Sequence, residues 1–326
     1  MNALMTVSTG SVIADAEAAI LANLQHHAEA ARGAFASNTE RALKSDVAIF
    51  TAWCRTSGLS SMPASPATVA GFIDATAETK APATIRRYVS SVSTFHRAAG
   101  AANPAETMEV KLALKRMHRE KGRVQVQAAP LSRALVDRML AAGGNSPREL
   151  RNRALLAVGY DTLARRSELA DLQAADIERG ADGAATIIIR RGKTDQEGAG
   201  MVRFIASDSM VHVQAWIAAA GISDGALFRA VLKGGRIGDA LDGADVARIY
   251  KDMARAAGLS AEETARISGH STRVGAAQDM VKHGIELPAV MQAGGWRTAE
   301  MVSRYTSRLD ARRSGAAKLA VLQSRA

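Results

Sequence analysis

Apolar positions along the first third of the chain recur every three to four residues, the spacing that lines one face of an α-helix. Residues 12–32 carry this period with little positive charge, and residues 1–11 before them read as an untethered tail. SNTERALKSDVAIFTAWC offers Ser37, Asn38 and Thr39 as capping residues and stops near Gly58. SPATVAGFIDAT begins with Ser65 followed by Pro66, a cap and first-turn pair. APATIRRYVSSVSTFHRAAG, closing on Gly100, and AETMEVKLALKRMHREKG complete a helical bundle over residues 12–121. The period then fails. EKGRVQVQAAPLSR has none, and residues 122–132 read as a linker to a second domain over 133–326.

That second domain changes period once. SPRELRNRALLAVGYDTLARRSELADLQ opens on Ser146, Pro147 and Glu149, a capping box with proline at the first helical position. A β-branched run at 186–189 and an apolar run at 201–205 flank the turn-like GKTDQEGAG. This hairpin is the only convincing strand signal. Helical patterns return in SDSMVHVQAWIAAAG, DGADVARIYKDMARAAGL, GHSTRVGAAQDMVKHG, LPAVMQAGGW and TAEMVSRYTSRLDARRSGAAKLAVL. The fold expected is mainly α, an N-terminal helical bundle followed by a mostly helical domain with a small antiparallel β-sheet.

Composition supports this picture and adds a partner. The 326 residues suit two domains, and the 4% aromatic content with abundant alanine favours closely packed helices. The 42 lysines and arginines exceed the 32 acids, for a net charge of +10. Such an excess points to a polyanion, either nucleic acid or an anionic membrane surface. No apolar run approaches the ~18 residues of a membrane span. The N-terminus has neither the charged nor the apolar region of a signal peptide, so a soluble cytoplasmic protein is expected. The single cysteine, Cys54, excludes an internal disulfide and sits in a helical pattern as a small hydrophobe. Lys111, Lys115, Arg116, Arg119, Lys121 and Arg123 face one acid, Glu120, in a run that is either a solvated helix face or a track along phosphates.

Candidate chemistry lies in the second domain. Breaking a phosphodiester without metal requires fixed cations aimed at the non-bridging oxygens, a nucleophile, and a proton donor for the leaving oxygen. Metal ligands at recognisable spacing, an HExxH motif and a GxxxxGK[ST] loop are all missing from the sequence, so no metal or other cofactor is expected. Four features fit the metal-free scheme. TLARRSEL places Arg165 three residues before Glu168, with Arg166 as a rival neighbour. Lys193 stands in the hairpin turn. ISGHSTRVGAA places His270 three residues before Arg273, at a predicted helix start where backbone amides also favour an anion. GGWRTAEMVSRY supplies the indole donor of Trp296 and then Tyr305. Each residue alone has an ordinary structural explanation, from a packing tryptophan to a surface lysine.

The order Arg165, Lys193, His270-x-x-Arg273, Trp296, Tyr305 resembles the tyrosine recombinase (phage integrase) family over most of the chain, most strongly from about 146 to 310. The resemblance implies that Tyr305 is the nucleophile, forming a 3′-phosphotyrosyl link and releasing a 5′-hydroxyl. It implies a clamp of Arg165 and Arg273, a general acid in Lys193, and an orienting carboxylate in Glu168. His270 would assist the tyrosine's proton or hold the phosphate, and Trp296, where many members carry histidine, would donate to a phosphate oxygen. It further implies a C-shaped clamp of two domains on double-stranded DNA with inverted-repeat sites. Four protomers would join two such sites through a Holliday junction, in the cytoplasm and associated with the nucleoid. The helix after Tyr305 would dock into a neighbouring protomer. Arg41, Arg86 and Arg87 in the bundle, with Lys115, Arg119, Lys121 and Arg123, are the expected DNA contacts. A nicking–closing topoisomerase, a telomere resolvase and a catalytically silent DNA-binding regulator remain the alternatives.

Overall fold

The computed structural model describes residues 9–123, 127–190, 200–312 and 314–325. The chain divides into two compact units, residues 1–126 and 127–326.

The first unit is helical: α1 (Thr9–Ala30), α2 (Ser37–Thr56), α3 (Pro66–Ala77), α4 (Pro82–Ala98) and α5 (Met108–Lys121). Its core joins Phe50, Val69, Phe72, Ile73, Ile85, Val92, Val110 and Met117. Phe72 sits at the centre, edge-on to Phe50 at 5.1 Å and to Trp53 at 5.3 Å. Cys54 is buried there and its thiol pKa is raised by burial. The predicted cap of α2 moves by one residue. The helix already includes Ser37, and its cap position falls on Ala36, which offers no side-chain acceptor. Ser65 does cap α3, accepting from the Thr68 N–H at 3.1 Å.

Two buried polar groups fasten this unit. Asp46 is fully buried on α2 and accepts both Nε and Nη2 of Arg87 at 2.9 Å and the Ser91 hydroxyl at 2.9 Å. His96 accepts the Ala64 N–H on Nε2 at 2.9 Å, so its Nδ1 carries the proton and donates to the Val92 carbonyl at 2.8 Å. Burial lowers its pKa, as that neutral tautomer requires.

The second unit begins with residues 127–132, which hydrogen-bond onto it. The Ala129 N–H donates to the Arg266 carbonyl and the Leu131 N–H to the Ser271 carbonyl, both at 2.9 Å, and Leu131 is fully buried. Then come α6 (Arg133–Ala141), α7 (Pro147–Thr162), α8 (Arg166–Asp171), β1 (Ile177–Arg179), β2 (Ala185–Ile189), β3 (Met201–Ile205) and α9 (Ser207–Ala220). β4 (Arg229–Val231) and β5 (Ile237–Ala240) precede α10 (Asp245–Ala256), α11 (Ala261–Ala265), α12 (Ser271–Lys282), α13 (Leu287–Gly294), α14 (Ala299–Arg312) and α15 (Gly315–Leu322). The capping box on α7 forms, with Ser146 N–H on Glu149 at 3.0 Å and Glu149 N–H on the Ser146 hydroxyl at 3.4 Å.

The predicted hairpin is the antiparallel pair β2–β3, with Ile187 opposite Arg203 and Ile188 opposite Val202. Ala185, Ile187, Ile189, Arg203 and Ile205 face inward, while Ile188, Val202 and Phe204 are exposed. β1 extends this sheet to three strands, and β4–β5 form a separate antiparallel pair. Neither was visible in the sequence, because strands of three or four residues are too short for alternation to register. The sheet and α9 pack on α7, whose Leu155, Leu156 and Val158 are fully buried. A second cluster joins Leu163, Ala276, Ala277, Val290, Trp296 and Val302 and holds α12, α13 and α14 together. Among the described residues, no helix is long and apolar enough to cross a membrane.

Candidate active site

The turn from α7 to α8 sets the first half of the site. Leu163 follows α7 with φ at 51°, a left-handed conformation uncommon for a leucine. That turn aims its carbonyl at the Arg273 guanidinium, whose Nη1 donates to it. Arg165 is the cap residue of α8, and Glu168 lies one turn on. The Glu168 carboxylate accepts the Arg165 backbone N–H at 2.8 Å and its Nη1 at 2.6 Å. Glu168 is 4% exposed, so this charge-assisted pair fixes Arg165 against the helix end.

The second half comes from α12. His270 caps this helix and Arg273 lies in its first turn. Arg273 is 2% exposed, and its Nη2 donates to the Gly294 carbonyl at 2.5 Å. Its guanidinium carbon stands 4.4 Å from the Trp296 ring centroid. Burial lowers its pKa to about 10, helped by the like charge of Arg165 and opposed by Tyr305 and Glu168. It therefore stays charged at neutral pH. His270 is half-buried, and its ring nitrogens have no hydrogen-bond partner among the described residues. Burial first, then the charges of Arg273, Arg165 and Arg166, lower its pKa and leave it neutral.

Trp296 and Tyr305 close the arrangement. Gly295 ends α13 with φ at 60°, and the chain turns there so that the Trp296 N–H bonds back to the Met291 carbonyl at 2.9 Å. A Cβ on Gly294 would overlap the Trp296 ring, so the glycine is required for that ring to lie flat on the helix end. Tyr305, on α14, is half-buried with its ring 5.5 Å from that of Trp296. Its main chain is held by Gln278 of α12, which donates to the Tyr305 carbonyl at 2.9 Å, and Gln127 donates to the Arg304 carbonyl. Among the described residues, the Trp296 Nε1–H has no acceptor.

Arg165, Glu168, His270, Arg273, Trp296 and Tyr305 thus lie around one point. Lys193 falls in residues 191–199, outside the described residues. Sequence reasoning missed Arg203. On β3, it is 6% exposed and donates through Nη1 to the Gln292 carbonyl of α13 at 2.6 Å. An added Cβ on Gly295 would come within 2.5 Å of its Nη2, so it braces the turn that presents Trp296. Its signal was an arginine at an inward position of an alternating strand.

Of the basic residues expected on DNA, Arg41, Arg86, Lys115, Arg119, Lys121 and Arg123 are exposed. Arg41 donates to Asn38 at 2.8 Å. Lys115 and Arg119 share the face of α5 opposite Val110, Ala113 and Met117. Arg87 has a structural use as well, since its guanidinium holds buried Asp46. Among the described residues, no group of three or more His, Cys, Asp or Glu is placed to hold a metal ion.

Comparison with known proteins gives one consistent result. The model of the phage integrase family matches residues 130–312. The Cre recombinase of Escherichia phage P1 is 31% identical over 86% of this chain and 86% of its own length. An integrase/recombinase XerD homologue of Selenomonas ruminantium is 30% identical over 83% of this chain and 81% of its own. Among solved structures, a lambda integrase dimer bound to a COC′ core site shares the fold with a TM-score of 0.60 at 16% identity, covering 92% of this chain and 81% of that one. The integrase of the Tn1549 transposon, in complex with circular-intermediate DNA, does so with a TM-score of 0.58 at 15% identity, covering 87% and 94%.

Proposed function

This chain belongs to the phage integrase family of tyrosine recombinases, and on that premise we propose that it is a site-specific DNA recombinase using Tyr305 as its nucleophile. The observation that carries the proposal is the convergence of Arg165, neutral His270, buried Arg273 and Trp296 beside the half-buried Tyr305. The Tyr305 oxygen forms a bond to the scissile phosphorus and the bond to the 5′-oxygen breaks. The tyrosine's proton passes to His270, and Lys193 protonates the departing 5′-oxygen. Arg165 and Arg273 neutralise the charge on the non-bridging oxygens, and the free Trp296 N–H adds a donor. Religation runs the same steps backwards with a 5′-hydroxyl from the partner site, which is strand exchange. Glu168 acts by holding Arg165.

Double-stranded DNA carrying inverted repeats is the substrate, and four protomers on two such sites are the acting assembly. The apolar residues of α15 support this reading, since Leu319, Val321 and Leu322 are exposed at 50%, 66% and 83% and suit docking into another copy.

The test uses a duplex selected from random-sequence DNA on the wild-type protein and nicked to trap cleavage. The wild-type protein gives a denaturant-resistant protein–DNA adduct without added metal, and Tyr305→Phe gives none while binding the duplex equally. Arg273→Ala lowers the cleavage rate by about 10²–10³-fold. Covalent trapping by Tyr305→Phe would remove the nucleophile assignment.

A further inference from the structure

The residue beside the clamp, Arg166, has no assigned task. It is the first residue of α8 and is exposed, unlike its neighbour Arg165, whose side chain is 12% exposed and turned onto Glu168. Two glycines make room for it. A Cβ added to Gly243 would stand 3.1 Å from the Arg166 carbonyl oxygen, so the loop before α10 lies close on its main chain. A Cβ added to Gly269 would stand 3.1 Å from the Arg166 Cβ and 3.3 Å from its Cδ. The aliphatic stem therefore lies across Gly269, the residue before His270, and this packing restricts where the guanidinium can go.

Three guanidinium groups surround His270, and they differ in what satisfies them. Arg273 donates to two main-chain carbonyls and Arg165 to a buried carboxylate. Arg166 has neither a hydrogen-bond nor an ion-pair partner among the described residues. An arginine fork with unused donors, laid beside two other cations and paired with no acid among the described residues, suits a phosphate. Phosphates follow one another along each DNA strand at about 3.4 Å of helix axis. A duplex with one phosphate on Arg273 thus brings others over Gly269.

We propose that Arg166 holds a DNA phosphate flanking the one that Tyr305 attacks, as a positioning contact additional to the Arg165–Arg273 clamp. This rests on the recombinase reading above. The contact fixes the register of the cleaved strand without touching the reacting atoms.

The experiment measures affinity for the selected duplex against salt concentration, in a Tyr305→Phe background that binds without cleaving. Arg166→Gln reduces the slope of log Kd against log salt by about 0.9, the loss of one phosphate contact. Arg166→Lys restores most of that slope by restoring the charge. Arg255→Gln, at an exposed α10 arginine already paired with Asp252, leaves it unchanged. An Arg166→Gln slope equal to the parent's, or an equal fall in Arg255→Gln, overturns the contact. The adduct assay separates the two levels. If the wild-type protein forms the adduct while the slope stays put, the contact fails alone; if the slope falls while no adduct forms, the recombinase reading fails alone.

Discussion

At Arg273 a guanidinium is almost wholly buried, yet among the described residues it forms an ion pair with no carboxylate. Main-chain carbonyls hold it without cancelling its charge, so that charge remains for an incoming anion. His270 is its complement, a base kept neutral by burial and by those same cations. The acid limb of kcat/KM for first-strand cleavage is therefore expected below pH ~6.5, the unperturbed histidine value, and absent in His270→Gln. A pH profile of adduct formation checks this, and a limb at or above that pH would contradict it. Stability follows the same sign. Because the folded-state pKa of His270 is lowered, and those of His96 and His212 with it, protonation favours the unfolded chain. Their contribution to stability is intact above about pH 6.5 and is lost as pH falls through the lowered folded-state values. Glu168→Gln removes the charge that holds Arg165, and cleavage in the same adduct assay falls by up to about 10²-fold with binding little changed. The sequence motifs brought these residues together because each carries chemistry. Arg203 escaped notice because its task is to brace the Trp296 turn, which only the packing of β3 on α13 reveals.

Among the elements, α12 carries the most. It presents His270 and Arg273, its Gln278 holds the main chain of Tyr305, and its Asp279 accepts from the Tyr160 hydroxyl at 2.8 Å and the Arg133 N–H at 2.7 Å. Residues 129–131 run directly against it, and a Cβ on Gly275 would overlap the Leu131 carbonyl. Gly275→Ala is expected to cost about 1–3 kcal/mol through overpacking, which lowers Tm by roughly 2–4 °C per kcal/mol in a unit of this size. Thermal unfolding measures it, and an unchanged Tm would show that the segment at Leu131 moves aside freely. Here the sequence was only partly legible. The motif ISGHSTRVGAA shows its chemistry, whereas only the packing shows that Gly275 makes room for the chain's own backbone at Leu131.

For the whole molecule, helical periodicity located most helices of both units because each buries one face on its own core, while β1, β4 and β5 were too short to show alternation. The connection was harder to read. Residues 122–132 lack a period, yet Gln127, Ala129 and Leu131 hydrogen-bond onto the second unit, and an irregular segment tied to other elements at single points leaves no repeating pattern. A fragment of residues 127–326 should accordingly melt at a higher temperature than one of 133–326, which loses buried Leu131 and its hydrogen bonds. Equal melting temperatures would mean that residues 127–132 add nothing to that unit. Its attachment points also have a mechanical meaning. Gln127 grips the peptide just before Tyr305, and Leu131 grips the first turn of the helix bearing Arg273. Tension along the polypeptide at residue 127 is therefore delivered first to the main chain beside the nucleophile, then through Ala129 to Arg266 and through Leu131 to the start of the helix that bears the clamp.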